Sequence, residues 1–392
     1  MLSVLLSRRK ALVPAAFAAM SILLAACEPM PSAGRGPAVD PSKPVQVALL
    51  LPSGSGAAGD EILARDLKQA ADMAVADLAS SVKIDLRVYN VGSDPAMASQ
   101  MATQAVADGA AIILGPVYGE TANAAGIAVR GQGVNVLSFS NNTDIAGGNV
   151  FVLGQTSQNS AARVVSYVAR EGKRNLLVVH EQTPQGDLGR RAIEAAARQS
   201  GARIAAVVPF EFSAPGVTAA VPTIVSTARS SGADAMILTS DLAGALPLLA
   251  QVLPQAGLGG SQIQYAGLTR WDIPAETMRQ PGLEGGIFAY PDQDTYGKFR
   301  SRYTAAYGSE PNLIAGLAYD GVAAIGALVK SGRSDPFSAA SLTQGAGFAG
   351  VNGVFRLRSD GTNERGMAVA QIRNGTLVII DPAPRSFGGA GL

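Results

Sequence analysis

The residue types that most often carry out proton transfer or nucleophilic attack are scarce in this sequence. Among 392 residues there is one histidine, His180, and one cysteine, Cys27. A serine hydrolase needs an imidazole base, and no Gly-x-Ser-x-Gly motif accompanies His180. One His and one Cys also cannot build a zinc site that requires several such ligands. We therefore expect no enzyme, no metal and no cofactor, and we interpret His180 as a structural or ligand-contacting residue.

A glycine-rich turn offers a second chemistry, the binding of a dinucleotide. Gly54, Gly56 and Gly59 have the spacing of the pyrophosphate-binding fingerprint, between a predicted strand and a predicted helix. Asp60 and Glu61 follow directly, and their charges would repel a pyrophosphate at the start of that helix. We interpret the segment as a flexible turn.

Hydroxyl and amide groups instead cluster in short segments that follow predicted strands. In open parallel sheets, ligands bind beyond the carboxyl ends of the strands, and these groups suit hydrogen bonds to a small polar ligand. Trp271, the only tryptophan, fits either a core position or a stacking wall of the cleft. The candidate ligand-binding residues are Ser53, Ser55, Tyr118, Gly119, Thr121, Ser140, Asn141, Asn142, His180, Asp241, Trp271 and Asp272.

The elements that must position these segments follow from the pattern of apolar residues. Val45–Leu51 is an apolar run of strand length, and Asp60–Leu78 carries apolar residues at helical spacing. The alternation continues to Phe139 and resumes from Asn159 to Val252. Continuous apolar strands joined by helices are typical of parallel sheets covered on both faces. Two such series predict an α/β fold with two Rossmann-like lobes.

Composition sets the broad class of protein. Hydrophobic residues make up 47% of the chain and charged residues 16%, so a folded core is expected rather than disorder. The net charge is +1, and nucleic-acid binding normally requires a strongly basic face. We therefore expect no nucleic-acid partner.

The N-terminal segment has the pattern of an export signal. Arg8, Arg9 and Lys10 precede an apolar run that ends at Ala26. Leu24-Ala25-Ala26-Cys27 resembles the lipobox of bacterial lipoproteins, which implies that Cys27 carries the lipid. Residues 7–12 also resemble a twin-arginine signal, so the export route stays open. We expect a protein on the periplasmic side of a bacterial membrane, attached only through its N-terminal lipid.

Several segments, in their order and spacing, resemble the type 1 periplasmic solute-binding fold of the Leu/Ile/Val-binding family. They are Val47–Gly59, Ile112–Pro116, Ala318–Val322 and Gly350–Arg356. The resemblance covers about residues 45–380 and implies a ligand cleft between two lobes, with a hinge of three crossovers. The expected division is a signal peptide and lipobox (1–27), a flexible linker (28–44), lobe 1 (45–154 plus 285–340), lobe 2 (155–284 plus 341–380) and a tail (381–392).

Within the family, three segments look most like the lipoprotein activators of penicillin-binding proteins: Gly115–Gly119, Ser138–Asn141 and Gly267–Asp272. The resemblance also implies where an amino acid would bind, and there Gly119, Asn142 and Thr269 replace the expected serine, threonine and acid.

Two functions remain open. One is a lipoprotein that binds a small polar, amino-acid-like ligand for an ABC-type permease. The other is an activator that docks on a penicillin-binding protein, with a degenerate cleft.

Overall fold

A computed structural model describes residues 37, 39–40 and 42–387 of the chain. The predicted lipid attachment site Cys27, the signal segment and most of the linker lie outside the described residues. Residues 36–392 form one compact unit. Within the described part of the chain, no helix is both long and apolar enough to cross a membrane.

The first lobe contains a five-stranded parallel sheet in the order β2-β1-β3-β4-β5. Its strands and the helices that join them are β1 (Val45–Leu51), α1 (Ala58–Leu78), β2 (Ile84–Asn90), α2 (Pro95–Ala107), β3 (Ile112–Leu114), α3 (Gly119–Val129), β4 (Val136–Ser138) and β5 (Val150–Val152).

Alternate residues of β1 explain how this sheet is covered on both faces. Val47 and Leu49 pack into one core cluster that includes α1, whereas Ala48 and Leu50 pack into another that includes α2 and α3. Leu49 and Leu50 are both fully buried, which contributes about 1.5–3 kcal/mol each. The continuous apolar run in the sequence thus has the expected cause, since both faces of the strand are covered.

The second lobe contains a seven-stranded sheet in the order β14-β13-β10-β9-β8-β6-β7. The strands β7, β6, β8, β9 and β10 are parallel, and β13 and β14 extend the sheet as an antiparallel hairpin. The elements are α4 (Ser157–Arg170), β6 (Asn175–Glu181), α5 (Pro184–Ser200), β7 (Arg203–Phe210), α6 (Ala214–Ser230), β8 (Ala235–Leu238), α7 (Leu246–Gln255), β9 (Gln264–Gly267), β10 (Ile287–Tyr290), β13 (Ala368–Arg373) and β14 (Thr376–Asp381).

Between β10 and β13 the chain returns to the first lobe. There it forms α8 (Gln293–Tyr307), α9 (Ala315–Lys330), α10 (Ala339–Leu342) and a two-stranded sheet of β11 (Phe355–Leu357) and β12 (Asn363–Arg365). Side chains of α8 and α9 join the core cluster of β1 and α1. The chain therefore passes between the lobes three times, after β5, after β10 and after β12. The predicted class, two α/β lobes with parallel sheets, is confirmed.

The division of the C-terminal half differs from the one expected from the sequence. The β10 strand pairs with β9 and β13 in the second sheet, although residues 285–340 were expected in lobe 1. Leu342, Phe348 and Phe355 pack in the first-lobe core, although 341–380 was expected in lobe 2. Short apolar segments of this kind fit either core, and only their tertiary partners decide between them.

Candidate ligand cleft

A cleft of about 680 Å³ lies where the two lobes face each other. This volume is within the range of small-molecule sites, about 300–1,000 Å³. The first lobe contributes Asp144, from the loop after β4, and the second lobe contributes the other lining residues. They are His180, Gln182, Thr183, Pro184, Asp187, Leu188, Arg191 and Pro209.

The second-lobe wall is built by the turn from β6 into α5. Thr183 caps the helix, since its Oγ1 accepts a hydrogen bond of 3.0 Å from the backbone N–H of Gly186. Pro184 occupies the first helical position, where its missing N–H costs nothing. Asp187 and Arg191 lie four residues apart, so they share one face of α5. The capped start of the helix therefore aims both charges at the cleft.

His180 is the second-last residue of β6 and is 5% exposed. Its Nδ1 lies 3.0 Å from the carbonyl oxygen of Glu181 and 3.8 Å from Oδ1 of Asp187. Among the described residues, no group of three or more His, Cys, Asp or Glu side chains could hold a metal ion. The position of His180 suits contact with a ligand.

The first-lobe wall is a short 3₁₀ turn, Thr143–Ile145, that follows β4. Asn142 caps it by accepting a 2.9 Å hydrogen bond from the N–H of Asp144. Thr143 accepts a 3.1 Å bond from Gln158 of α4 in the second lobe. Asp144 is exposed, and its carboxylate forms no ion pair with another described residue. Its charge is therefore available to a ligand.

The candidates in the loops after β1 and β3 are engaged with the start of α1. Ser53 and the N–H of Gly54 both donate to the carboxylate of Glu61, the latter over 2.7 Å. The hydroxyl of Tyr118 donates to Asp60, and this hydrogen bond raises the pKa of Tyr118 to about 12. Ser55 accepts a 3.1 Å bond from the N–H of Ala57. The donors of Ser53, Gly54 and Tyr118 are therefore already used within the first lobe.

A second group of candidates meets where the loops after β3 and β4 touch. Thr121 is buried and donates to the carbonyl oxygen of Tyr118 over 2.9 Å, and buried Ser140 accepts from the N–H of Asn142 over 3.1 Å. A Cβ on Gly119 would lie 3.2 Å from the Asn142 amide. Asn141 is exposed. The structure brings these residues together at the edge of the first lobe, beside the cavity rather than in its lining.

Trp271 does not form a cleft wall. It is 0% exposed and packs in the second-lobe core, with its ring centroid 6.1 Å from that of Phe288. Gly267 and Gly286 leave the space for the indole, because a Cβ at either position would approach the ring to 2.4 Å. The stacking-wall interpretation is wrong for this reason, and the core interpretation is correct.

The remaining candidates of the second lobe lie outside the cavity lining. Asp272 is nearly buried and is paired with Arg270, whose Nε donates to Oδ1 over 2.9 Å. The Arg270 guanidinium also lies 4.5 Å from the ring centroid of Tyr290. Asp241 is exposed in the loop after β8. The charge of Asp272 is therefore compensated by Arg270, whereas Asp241 forms no ion pair with another described residue.

Of the sequence candidates, His180 alone lines the cavity. Sequence reasoning missed Asp144, Asp187 and Arg191, the charged residues of the cavity. A usable signal was present in Thr183-Pro184 followed by charges four residues apart, which predicts a capped helix with both charges on one face. No comparable pattern marks Asp144.

The fold and the cleft define a two-lobed binding protein. The family model described as periplasmic binding protein matches residues 44–376, so the chain belongs to this family. Its solved neighbours are type 1 periplasmic binding proteins of the Leu/Ile/Val-binding kind. No curated protein matches the chain significantly.

Three solved structures illustrate the likeness of fold. A branched-chain amino acid ABC transporter protein from Rhodospirillum rubrum is 18% identical, with a TM-score of 0.71, over 86% of this chain and 100% of that one. A periplasmic ligand-binding protein of the same transporter class from Burkholderia xenovorans is 19% identical, with a TM-score of 0.69, over 88% and 97%. A substrate-binding protein from Desulfitobacterium hafniense, in complex with Leu, is 17% identical, with a TM-score of 0.64, over 86% and 100%.

Proposed function

We propose that this protein is a non-enzymatic lipoprotein that binds a small polar, amino-acid-like ligand between its lobes and presents it to an ABC-type permease. The observation that carries the proposal is the cavity of about 680 Å³ to which both lobes contribute. A ligand that contacts both lobes stabilises the closed arrangement by its differential affinity for that state. The permease then recognises the closed, ligand-bound conformation.

The relatives support a small-molecule occupant. The Desulfitobacterium hafniense protein is in complex with Leu, and the neighbours from Rhodospirillum rubrum and Burkholderia xenovorans are described as parts of branched-chain amino acid ABC transporters. At identities below 20% the likeness is one of fold. The side chains of this cleft therefore have to define its own ligand.

The N-terminal lipobox supports the location in the proposal. A lipid on Cys27 would hold the binding unit on the periplasmic side of a bacterial membrane, and the proline-rich linker 28–44 would give it reach. The lipid would be the protein's only contact with the membrane.

A thermal-shift screen tests the binding role. The compact unit 36–392 is mixed with millimolar amino acids, amines, carboxylic acids and amides in turn. A ligand present at 100 times its Kd stabilises the folded state by about 2.7 kcal/mol, which gives a clear rise in Tm. If no compound of any class raises the Tm, the binding role is refuted.

One observation favours a second candidate function, that of an activator of a penicillin-binding protein. The first-lobe donors of Ser53, Gly54 and Tyr118 are satisfied by Glu61 and Asp60, as expected of a cleft that has lost an older ligand. Pull-down of the full-length lipoprotein from a solubilised envelope separates the two roles. Recovery of a bifunctional penicillin-binding protein, with stimulation of its synthase activity, supports activation, and recovery of permease subunits alone contradicts it.

A further inference from the structure

The charges of the cavity are of both signs. Asp144 of the first lobe and Asp187 of the second carry carboxylates, and Arg191 carries a guanidinium. Asp144 and Arg191 form no ion pair with another described residue, whereas Asp187 lies 3.6 Å from Arg190. Arg190 is itself bonded to Glu194 over 2.6 Å. Arg190 is shared by the carboxylates of Asp187 and Glu194, so these three side chains together keep one negative charge in excess, next to His180. The cavity thus presents the open carboxylate of Asp144, the partly compensated carboxylate of Asp187 and the guanidinium of Arg191.

The surroundings of the cavity on the first lobe are acidic. The four loops at the carboxyl ends of its strands span 52–61, 91–94, 115–121 and 139–149, and they contain no Lys or Arg. Their acidic residues are Asp60, Glu61, Asp94, Glu120 and Asp144. Arg130 lies beside Gly148 at the end of the last loop, so the wall carries a negative excess rather than one sign alone. Such an excess attracts ligands of the opposite sign.

The facing loops of the second lobe reinforce this field. They span 182–187, 211–214, 239–245 and 268–273. Their acids are Asp187, Glu211, Asp241 and Asp272, and the bases are Arg270, which is paired with Asp272, and Arg190 and Arg191, which follow Asp187 on α5. A ligand with net negative charge would enter against this excess of carboxylates.

The hydrogen-bond donors of the first lobe also disfavour an anionic ligand, because acidic side chains already occupy them. Glu61 already accepts from Ser53 and from the N–H of Gly54, and Asp60 accepts from Tyr118. These groups would otherwise suit a ligand carboxylate. Among the cavity residues, the guanidinium of Arg191 on the second lobe suits a carboxylate best, because it can form two charge-assisted hydrogen bonds with it.

We infer that the cleft selects a dibasic amino acid, with its carboxylate on Arg191, its α-ammonium toward Asp187 on the same helix face and its side-chain ammonium toward Asp144 of the other lobe. The charges of such a ligand, two positive and one negative, complement those of the three side chains. This inference rests on the proposed binding function and names the ligand class of the same cleft. A neutral branched-chain amino acid has one ammonium group and would leave part of the negative charge of the cavity unmatched.

Calorimetric titration of the 36–392 unit with lysine, ornithine, leucine, glutamate and putrescine tests the inference. We expect lysine or ornithine to bind at least about tenfold more tightly than leucine, because leucine has one ammonium group where they have two. Putrescine, which lacks a carboxylate, should bind more weakly than lysine, and glutamate should not bind.

Two variants assign the charges to their positions. Asp144→Asn should weaken lysine binding by about tenfold or more and leave leucine binding nearly unchanged. Arg191→Gln should weaken lysine binding but not putrescine binding. Glu310→Gln is the matched control, because Glu310 pairs with Arg300 away from the cleft, and it should change none of these affinities.

The outcomes separate this inference from the binding function. Tighter binding of leucine or glutamate than of lysine, or an Asp144→Asn variant with unchanged lysine affinity, overturns the ligand class and leaves the binding function standing. Failure of every compound in the wider thermal-shift screen removes both.

Discussion

At the scale of single residues, the most demanding contact is a buried ion pair beside the crossovers. Asp320 of α9 and Arg365 of β12 are 0% and 7% exposed, and Oδ2 lies 3.5 Å from Nη1. Arg365 also donates from Nε to the carbonyl oxygen of Leu153 over 3.1 Å, and Asp320 accepts from the N–H of Val351 over 2.6 Å. Desolvation of both charges is compensated only while all these partners are in place.

Removing the cation should therefore be costly. Arg365→Met leaves the Asp320 carboxylate buried without its counter-charge, and we expect a loss of about 3–5 kcal/mol in the free energy of unfolding. The double variant Asp320→Asn/Arg365→Met should recover part of this loss, because no buried charge remains. Urea denaturation measures both. Arg385→Met is the control, since that side chain is 88% exposed in its pair with Asp294, and an equal cost for both arginines would contradict the prediction.

A second residue-scale prediction concerns Tyr118. Its hydrogen bond to Asp60 raises its pKa to about 12, from about 10 in an unfolded chain. The folded state favours the neutral phenol, so this contribution to stability is fully present below pH about 10 and is lost as the pH rises through about 12.

Tyrosinate absorbance during an alkaline titration measures this ionisation. Subtracting the titration of Tyr118→Phe isolates the single residue. In Asp60→Asn we expect the same residue to ionise at a lower pH, closer to the ordinary value. An unchanged titration in Asp60→Asn would show that the carboxylate is not responsible.

At the scale of elements, the first and third crossovers are held to each other by amide groups. Asn363 of β12 donates to the carbonyl oxygens of Val152 and Gly154, over 2.7 and 2.8 Å. Asn159 of α4 donates to the carbonyl oxygen of Asn363 over 3.0 Å. Gly154 also lies against the loop after β4, which carries Ser140. The first crossover is therefore in direct contact with the loop after β4, which also carries the cavity residue Asp144.

Gly154→Ala tests how tightly this region is packed. A Cβ there would approach the carbonyl oxygen of Ser140 to 2.5 Å, so backbone must shift, and we expect a loss of about 1–3 kcal/mol. Gly59→Ala is the matched control, since a Cβ at Gly59 meets nothing within 4 Å and the position is helical. It should be neutral or stabilising. Equal denaturation midpoints for the two variants would refute the close contact.

At the scale of the whole molecule, each lobe has its own hydrophobic clusters on the two faces of its sheet. The two lobes are joined by three crossovers. This arrangement lets each lobe keep its internal packing while the angle between the lobes changes, as hinge closure requires.

The whole-molecule prediction concerns Cys27. Cys27→Ser removes the only thiol of the chain, so we expect loss of metabolic labelling with a lipid precursor and release from the membrane fraction. The released protein should keep the Tm of the 36–392 unit. Labelling that persists in the variant would refute lipid attachment at this residue.

The sequence by itself determined the strand and helix alternation and the two α/β lobes. These features are local, because apolar runs and helical spacing act within one element. The family resemblance added the prediction that three crossovers form a hinge between the lobes.

Only the tertiary structure decided which loops line the cleft. The burial of Trp271, the pairing of β10 in the second sheet and the meeting of Asp144 with Asp187 and Arg191 depend on contacts between distant segments. Such contacts are selected by packing of the whole chain, and the residues on either side of a position do not encode them. The charge pattern of the cleft became visible for the same reason, once the strand order placed its loops side by side.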